Sequence, residues 1–154
     1  YQLVIVGDGP ARMKLEKQLP NAKFLGFKSG EELAQIYASF DLFIHPGPRE
    51  TFCQTVQESL ASGTPCVVPN TGGASDLILN NVTGYVINTS DPLALIEAVN
   101  NYQNRPDRKE MQSAARNSVI SRTWSSINAE LINHYQEVIE QRSLSNAKLA
   151  EVVA

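Results

Sequence analysis

Two glutamates, Glu50 and Glu58, lie eight positions apart in the stretch RETFCQTVQESLASGTP, residues 49–65. The residues between them are mostly small and polar, a composition that suits neither the buried side of a helix nor a charged surface. On a single helix, a rise of ~1.5 Å per residue would separate the two by ~12 Å. Carboxylates accept hydrogen bonds from vicinal hydroxyls. The pair therefore indicates either a ligand with a hydroxyl-rich group at each end, or two ordinary surface charges.

The helix that carries Glu58 is predicted to begin with an anion site. Thr51 is expected to be its N-cap, with Gln54 at the third position completing a capping box. The free backbone N–H groups of the first turn and the positive end of the helix dipole would then suit a phosphate. A nucleotide sugar fits this layout, with the hexose at Glu50, the diphosphate at the helix start and the ribose at Glu58. The expected apolar face of the helix consists of Phe52, Val56 and Leu60.

The elements around this helix alternate between strand and helix. Apolar, β-branched runs predict strands at 2–6, 23–27, 41–45, 64–69 and 83–88. Helical spacing predicts helices between them, one at about 52–62, and two further helices at about 107–122 and 125–141. Trp124 is expected to anchor the last helix to the core. This alternation is typical of an α/β domain with a parallel sheet and right-handed crossovers.

Ligands of open α/β sheets bind at the carboxyl ends of the strands. Three strands are followed there by glycine- or proline-rich loops: GDGP, HPGPRE and NTGGAS. Gly7, Gly9, Gly72 and Gly73 would let backbone approach a ligand closely, and the alternative for Gly72 and Gly73 is a plain tight turn. His45 is either a ligand contact or a structural histidine, and Arg49 either reaches a phosphate or is solvated. Asp8 is expected to cap its own loop.

Composition excludes several classes of function. The chain of 154 residues has a formal charge of −3 and a pI near 5.4, which argues against binding to nucleic acid or to an anionic membrane surface. No apolar run approaches the ~20 residues of a membrane span. Cys53 and Cys66 have no metal or redox spacing, and we expect both to be buried thiols of a protein in the reducing cytoplasm.

Five landmarks follow one another in order: VGDGPARMKLE, FLGF, EELAQIYASFDLFIHPGPRETFCQTVQESLASGTPCVVPNTGGASDLI, TGYVI and a late TW. Together they resemble the C-terminal domain of retaining GT-B glycosyltransferases, in family 4, also called group 1. The resemblance covers nearly the whole chain. It implies one Rossmann-like domain over residues 1–154, a doubly wound parallel sheet of about five strands with flanking helices, which is half of a GT-B fold.

The resemblance also implies roles for residues. The family's E-x7-E element falls on Glu50 and Glu58, so Glu58 would hold the ribose hydroxyls, and Glu50 would hold the donor hexose in the catalytic centre, as a positioning group and not as a nucleophile. Backbone from Thr51 through Phe52 and Cys53 to Thr55 would contact the diphosphate. Gly7 and Gly9 would line the cleft. No metal ion is expected, because the helix N-terminus and basic side chains would stabilise the departing diphosphate.

The expected function is transfer of a hexose, with retention of configuration, from a nucleoside diphosphate sugar to an acceptor. The PGPRETFCQTVQE form looks like a subgroup that transfers mannose, which favours GDP-mannose as the donor over the UDP-glucose class. Alternatives are a non-catalytic nucleotide-binding module, a GT-B sugar-nucleotide epimerase, or a phosphorylase. The intact glutamate pair argues against the first of these.

The sequence departs from the family pattern at three points. Cys53 stands where the family commonly has glycine. The basic arginine and lysine that clamp the diphosphate lie in a segment expected before residue 2, and the N-terminal acceptor domain is also expected but absent. Because the chain starts within a strand and without methionine, we expect a fragment of a longer two-domain enzyme that is inactive alone. Its location would be cytoplasmic, or peripheral at the inner face of the membrane through the missing half.

Overall fold

The computed structural model describes the backbone of residues 1–153 and the side chains of residues 1–143. Five short strands alternate with helices, as the sequence predicts. In chain order the elements are β1 (Val4–Ile5), α1 (Arg12–Gln18), β2 (Lys23–Phe24), α2 (Gly30–Ala38), β3 (Phe43–Ile44), α3 (Gln54–Ala61), β4 (Cys66–Pro69), a 3-10 turn (Ser75–Leu77), β5 (Gly84–Ile87), α4 (Ala94–Asn104), α5 (Arg108–Val119) and α6 (Trp124–Val153).

All five strands pair in parallel, which confirms the predicted α/β class, but they form two sheets instead of one. β1 pairs with β2, with Val4 opposite Lys23. The second sheet has the order β3-β4-β5, with Cys66 of β4 opposite Phe43 on one side and Gly84 on the other. Within the described backbone, no strand pairing joins β1 to β3. One edge of each of these strands is therefore without a partner in this part of the chain.

The core is built on both faces of β4, whose four residues are all buried. One face carries Cys66 and Val68, which pack with Val56 and Leu60 of α3 and with Ala115 of α5. The other face carries Val67, which packs with β5, α4 and α5 through Tyr85, Ala98, Tyr102 and Met111. A strand with apolar side chains on both faces is what a continuous apolar run predicts for the middle of a parallel sheet.

The two cysteines lie in this core as free thiols, Cys53 with 4% and Cys66 with 0% of its surface exposed. Burial raises the pKa of the Cys66 thiol to about 12, because the apolar surroundings disfavour the thiolate. A thiol in this state is a packing residue and not a nucleophile. The prediction of two buried thiols is confirmed.

A buried threonine ties α2 to the second sheet. The Thr64 hydroxyl donates to the Tyr37 carbonyl at 2.7 Å, just before β4 begins. The Tyr37 ring also packs edge-to-face on Phe43 of β3, with ring centroids 5.4 Å apart. These contacts hold α2 against the second sheet.

The last helix differs from the prediction. α6 runs from Trp124 to Val153, and its described side chains are exposed apart from that of Ile127. Trp124 is 73% exposed, so it does not anchor the helix to the core, and that expectation was wrong. Helical spacing identified the helix correctly, but spacing alone does not show what a helix face packs against. Among the described residues, no helix has the length and apolar character needed to cross a membrane.

The β4–β5 pairing yields a stability prediction at Gly84. A Cβ at this position would lie 2.0 Å from the Cys66 carbonyl oxygen and 2.9 Å from the Cys66 nitrogen, both backbone atoms in the middle of the sheet. We expect Gly84→Ala to lower the free energy of unfolding by ~2 kcal/mol or more, because the strands must move apart. Urea unfolding followed by circular dichroism measures this change.

Gly9→Ala is the matched control. A Cβ on Gly9 meets no atom within 4 Å, and its φ is not in the left-handed region. The urea concentration at the midpoint of unfolding should be the same for this variant as for the native protein, or slightly higher. Equal stability of Gly84→Ala and the native protein would show that the sheet can adapt to the methyl group.

Candidate functional site

The loops that follow β3 and β4 pack directly against each other. The Gly73 N–H donates to the Glu50 carbonyl at 2.8 Å. A Cβ on Gly73 would lie 2.0 Å from the Thr51 carbonyl oxygen, and a Cβ on Gly72 would lie 2.9 Å from the carbonyl oxygens of Pro48 and Glu50. Gly72 also has a φ of +78°, which favours glycine. Both glycines are thus required by the contact between loops. Their contact with a ligand stays a prediction.

The predicted start of α3 was wrong. The N-cap is Cys53, not Thr51, and the helix begins at Gln54 with no side-chain cap. Thr51 is held outside the helix because the segment from Glu50 to Phe52 packs on the Gly72–Gly73 loop. A capping box between Thr51 and Gln54 is therefore not formed. The free N–H groups of the first turn are still present, but two positions later than the sequence indicated.

Cys53 has a left-handed backbone conformation, with a φ of 55°. Such a conformation costs a residue other than glycine ~1–3 kcal/mol. The side chain is nevertheless buried in the core beside Val56 and Leu60, and that burial offsets part of the cost. The glycine that the family commonly has at this position was the signal that a positive φ is needed here, and the cysteine in this chain hid it.

Phe52 does not belong to the apolar face of α3. It precedes the helix and is 46% exposed, whereas Val56 and Leu60 are fully buried, as predicted. The ring of Phe52 therefore lies on the surface, next to the start of the helix. Thr55 is also exposed, in the first turn, with its hydroxyl 3.4 Å from the Cys53 sulfur.

The two glutamates have different environments. Glu50 is exposed, and its side chain has no hydrogen-bond or ion-pair partner within the described residues. Glu58 is half-buried on the second turn of α3, and burial raises the pKa of its carboxyl because desolvation disfavours the charged form. Because only Glu58 lies in the helix, the separation of ~12 Å calculated from the helical rise does not apply to the pair.

Glu58 lines a groove of about 600 Å³ between α2 and α3. Sequence reasoning missed this groove, because α2 was interpreted only as a packing element. The residues of α2 on its walls include Glu31, Leu33, Ala34 and Gln35. The signal that could have revealed them is the placement of polar Glu31 and Gln35 one turn apart, next to the apolar stripe.

The loop after β1 has a firm internal structure. The Asp8 carboxylate accepts from the Gly9 N–H at 2.8 Å and forms an ion pair with Arg12 at 3.0 Å, which confirms that Asp8 caps its own loop. The Gly7 N–H donates to the Gly26 carbonyl at 2.8 Å, and its φ of +124° requires glycine. Gly9 is exposed and has open space around it.

His45 and Arg49 differ in how the loop after β3 holds them. The His45 Nε2 lies 3.1 Å from the Gly47 carbonyl oxygen, and its backbone N–H donates to Val67 at 2.9 Å, both of which favour the structural interpretation. Arg49 is exposed, with no ion pair among the described side chains.

Across residues 1–143 there is no group of three or more metal-ligating side chains.

Comparisons with known proteins place the chain in a family. Residues 1–118 match the family described as glycosyl transferases group 1. The GDP-mannose-dependent alpha-mannosyltransferase of Mycolicibacterium smegmatis is 48% identical over 147 residues, which are 95% of this chain and 39% of that protein. The protein of the same name from Corynebacterium glutamicum is 45% identical over 139 residues, 90% of this chain and 34% of its own length. The chain thus spans less than half of these relatives.

Solved structures show the same fold at lower identity. Sucrose-phosphate synthase from Thermosynechococcus elongatus superposes with a TM-score of 0.79 and 22% identity, over 91% of this chain and 39% of that one. Anabaena HepE in complex with UDP gives a TM-score of 0.77 and 22% identity, over 88% of this chain and 41% of that one. The fold is therefore the Rossmann-like half of a GT-B glycosyltransferase. Since the family match covers residues 1–118 of 154, the chain belongs to the glycosyl transferases of group 1.

Proposed function

We propose that this chain is the donor-binding half of a retaining hexosyltransferase, which takes mannose from GDP-mannose. The observation that carries the proposal is the start of α3. There, free backbone N–H groups lie along the chain between an exposed glutamate, Glu50, and a half-buried one, Glu58. The mannosyltransferase names of the relatives favour this function over a non-catalytic module, an epimerase or a phosphorylase.

The diphosphate would bind at the N-terminus of α3. The N–H groups of Gln54 and Thr55 have no acceptor within the helix, and the helix dipole adds a partial positive charge at this end. Arg49 is close in sequence, exposed and without an ion pair in the described part of the chain, so it is available for a phosphate oxygen. These groups would stabilise the departing diphosphate without a metal ion.

The sugar at each end of the diphosphate would meet a carboxylate. Glu58 would accept hydrogen bonds from the ribose hydroxyls, and Glu50 would accept them from the hexose and position it. Phe52, Cys53, Gly7, Gly9, Gly72 and Gly73 would shape the cleft, mainly through backbone. His45 would support the loop through its contact with Gly47.

The unpaired strand edges support a longer protein. In a doubly wound sheet with the order 3-2-1-4-5-6, β2-β1 and β3-β4-β5 would take the outer positions and leave the central one free. The Tyr1 hydroxyl donates to the Asn100 side chain of α4 at 2.7 Å, which links the start of β1 to the elements around the second sheet. We infer that a strand outside residues 1–154 pairs with both β1 and β3.

The acceptor would bind to a further domain that faces the donor cleft. The relatives are more than twice as long as this chain, since it covers 39% and 34% of the two proteins compared. The enzyme would work in the cytoplasm, and any contact with the inner face of the membrane would be made by the other half.

We expect Glu58→Gln to weaken the binding of GDP and at the same time to raise the free energy of unfolding. The variant keeps the shape of the side chain but removes the charge, so affinity for GDP should fall ~10- to 100-fold, since a hydrogen bond to a charged group contributes ~1.5–3 kcal/mol. The pKa of Glu58 is raised in the folded state, so its ionisation opposes folding above that pKa. Glu58→Gln should therefore be more stable than the native protein at pH 7.

Calorimetry with GDP and urea unfolding across pH measure these two effects. The stability difference should shrink as the pH falls below the ordinary glutamate pKa of ~4.3, where the native side chain is protonated in both states. Glu137→Gln, at an exposed position of α6, is the control and should change neither quantity. If Glu58→Gln bound GDP with the affinity of the native protein, Glu58 would not be part of the nucleotide site.

Glu50→Ala should distinguish the two ends of the ligand. If Glu50 holds the hexose alone, the variant should bind GDP with native affinity and GDP-mannose ~10-fold more weakly. Calorimetry with both ligands, and with Glu137→Ala as the control, measures the ratio. An equal loss for GDP and GDP-mannose would contradict the assignment of Glu50 to the sugar.

Residues 1–154 alone should not transfer mannose. Half of the active site and the proposed central strand would be missing, so incubation with GDP-mannose should release no GDP above the rate without protein. Production of the longer protein supplies the positive control. Turnover by residues 1–154 would show that the donor half is sufficient for hydrolysis.

A further inference from the structure

The groove between α2 and α3 has the size and lining of a small-molecule site. Its volume of about 600 Å³ lies within the range of ~300–1,000 Å³ that ligand pockets occupy. Leu33, Ala34 and Tyr37 of α2 and Ala61 of α3 supply its apolar surface. A flat aromatic ring would find apolar contacts there.

Two polar side chains of α2 line the same groove. Glu31 and Gln35 are four residues apart, so they lie on one face of the helix, one turn from each other. Within the described residues the Glu31 carboxylate has no hydrogen-bond or ion-pair partner, whereas the neighbouring Glu32 pairs with Lys28. Glu31 is thus an available acceptor, and Gln35 offers both a donor and an acceptor.

The position of Glu58 connects this groove to the donor site. Glu58 lines the groove and, in the proposed function on which this step rests, holds the ribose hydroxyls. The base is bonded to the same ribose, and it must lie on the side away from the diphosphate. The groove along α2 lies beside Glu58 and has an apolar surface, and the side chains of Glu31 and Gln35 have no hydrogen-bond partner within the described residues. Arg116 of α5 also lines the groove, and its guanidinium donates to the Ala61 carbonyl.

We propose that Glu31 and Gln35 recognise guanine and thereby select the nucleotide of the donor. The Watson–Crick edge of guanine presents the acceptor O6 and two adjacent donors, N1–H and N2–H. The two oxygens of the Glu31 carboxylate match the pair of donors, in a bidentate arrangement. The Gln35 amide N–H, one turn along, donates to O6.

Other bases do not match this pattern. Uracil presents a single N–H donor between two carbonyl acceptors, so one of its oxygens would face the Glu31 carboxylate. Adenine and cytosine each present a ring acceptor beside an amino donor, which also places a lone pair against a carboxylate oxygen. Glu31 and Gln35 are exposed in the free protein, so the discrimination arises where the bound base covers them and a mismatched base leaves a polar group without a partner.

The test is calorimetry of the intact protein with GDP, IDP and UDP. IDP has the base hypoxanthine, which retains O6 and N1–H but lacks the 2-amino group. The native protein should bind GDP ~10-fold more tightly than IDP, and should bind UDP more weakly still. The Glu31→Ala variant should bind GDP ~10- to 100-fold more weakly than the native protein, while its affinity for UDP should change little. The ratio of GDP affinity to UDP affinity should therefore be smaller in the variant.

Glu32→Ala is the matched control, because it removes a carboxylate from the same turn that is paired with Lys28 and does not line the groove. It should leave all three affinities unchanged. Native GDP binding and native discrimination in Glu31→Ala would overturn this assignment and leave the donor site intact. Failure of the native protein to bind any of the three nucleotides would overturn the proposed function itself.

Discussion

The geometry of the site depends on one backbone contact, between the loop after β4 and the loop after β3. The Gly73 N–H donates to the Glu50 carbonyl at 2.8 Å, and there is no room for a Cβ at Gly73. This contact keeps residues 50–52 out of α3. The N–H groups of Gln54 and Thr55 consequently have no side-chain cap from Thr51. A side chain that capped them would compete with any anionic ligand.

Cys53 adopts the unusual backbone conformation that the contact between the two loops requires. The chain must turn sharply from the packed loop into α3, and it does so through a left-handed residue with a φ of 55°. The strain persists because the Cys53 side chain, Val56 and Leu60 are all anchored in the core against β4. Strain at the start of a helix, held by packing behind it, is a means of fixing backbone N–H groups before a ligand arrives.

The sequence was sufficient for the order of the elements and insufficient for the contacts between them. Apolar runs located all five strands, since a buried strand needs no partner to be recognised by its composition. The start of α3 was misplaced because Thr51 and Gln54 satisfy a local rule that a contact more than twenty residues away overrides. The groove was missed for the same reason, because it arises where α2 packs beside α3. Glu58 was located, but its desolvation could not be inferred from spacing.

The charges of the site follow from the ligand proposed for it. A nucleotide sugar is anionic at its centre and rich in O–H and N–H donors at its ends, so the complementary surface needs donors in the middle and acceptors outside. In the proposed site, α3 would provide the first through its N-terminus, while Glu50, Glu58 and Glu31 would provide the second. Carboxylates next to a diphosphate would repel it, and their repulsion weakens with distance and solvent. The position of Glu50 outside the helix and of Glu58 on its second turn would meet one requirement of the proposed ligand, which is that the acids reach its ends without approaching its phosphates. The raised pKa of Glu58 is the consequence for the free protein, since a carboxylate that lines a groove is desolvated there, and in the proposed complex ribose hydroxyls would replace the water it has lost.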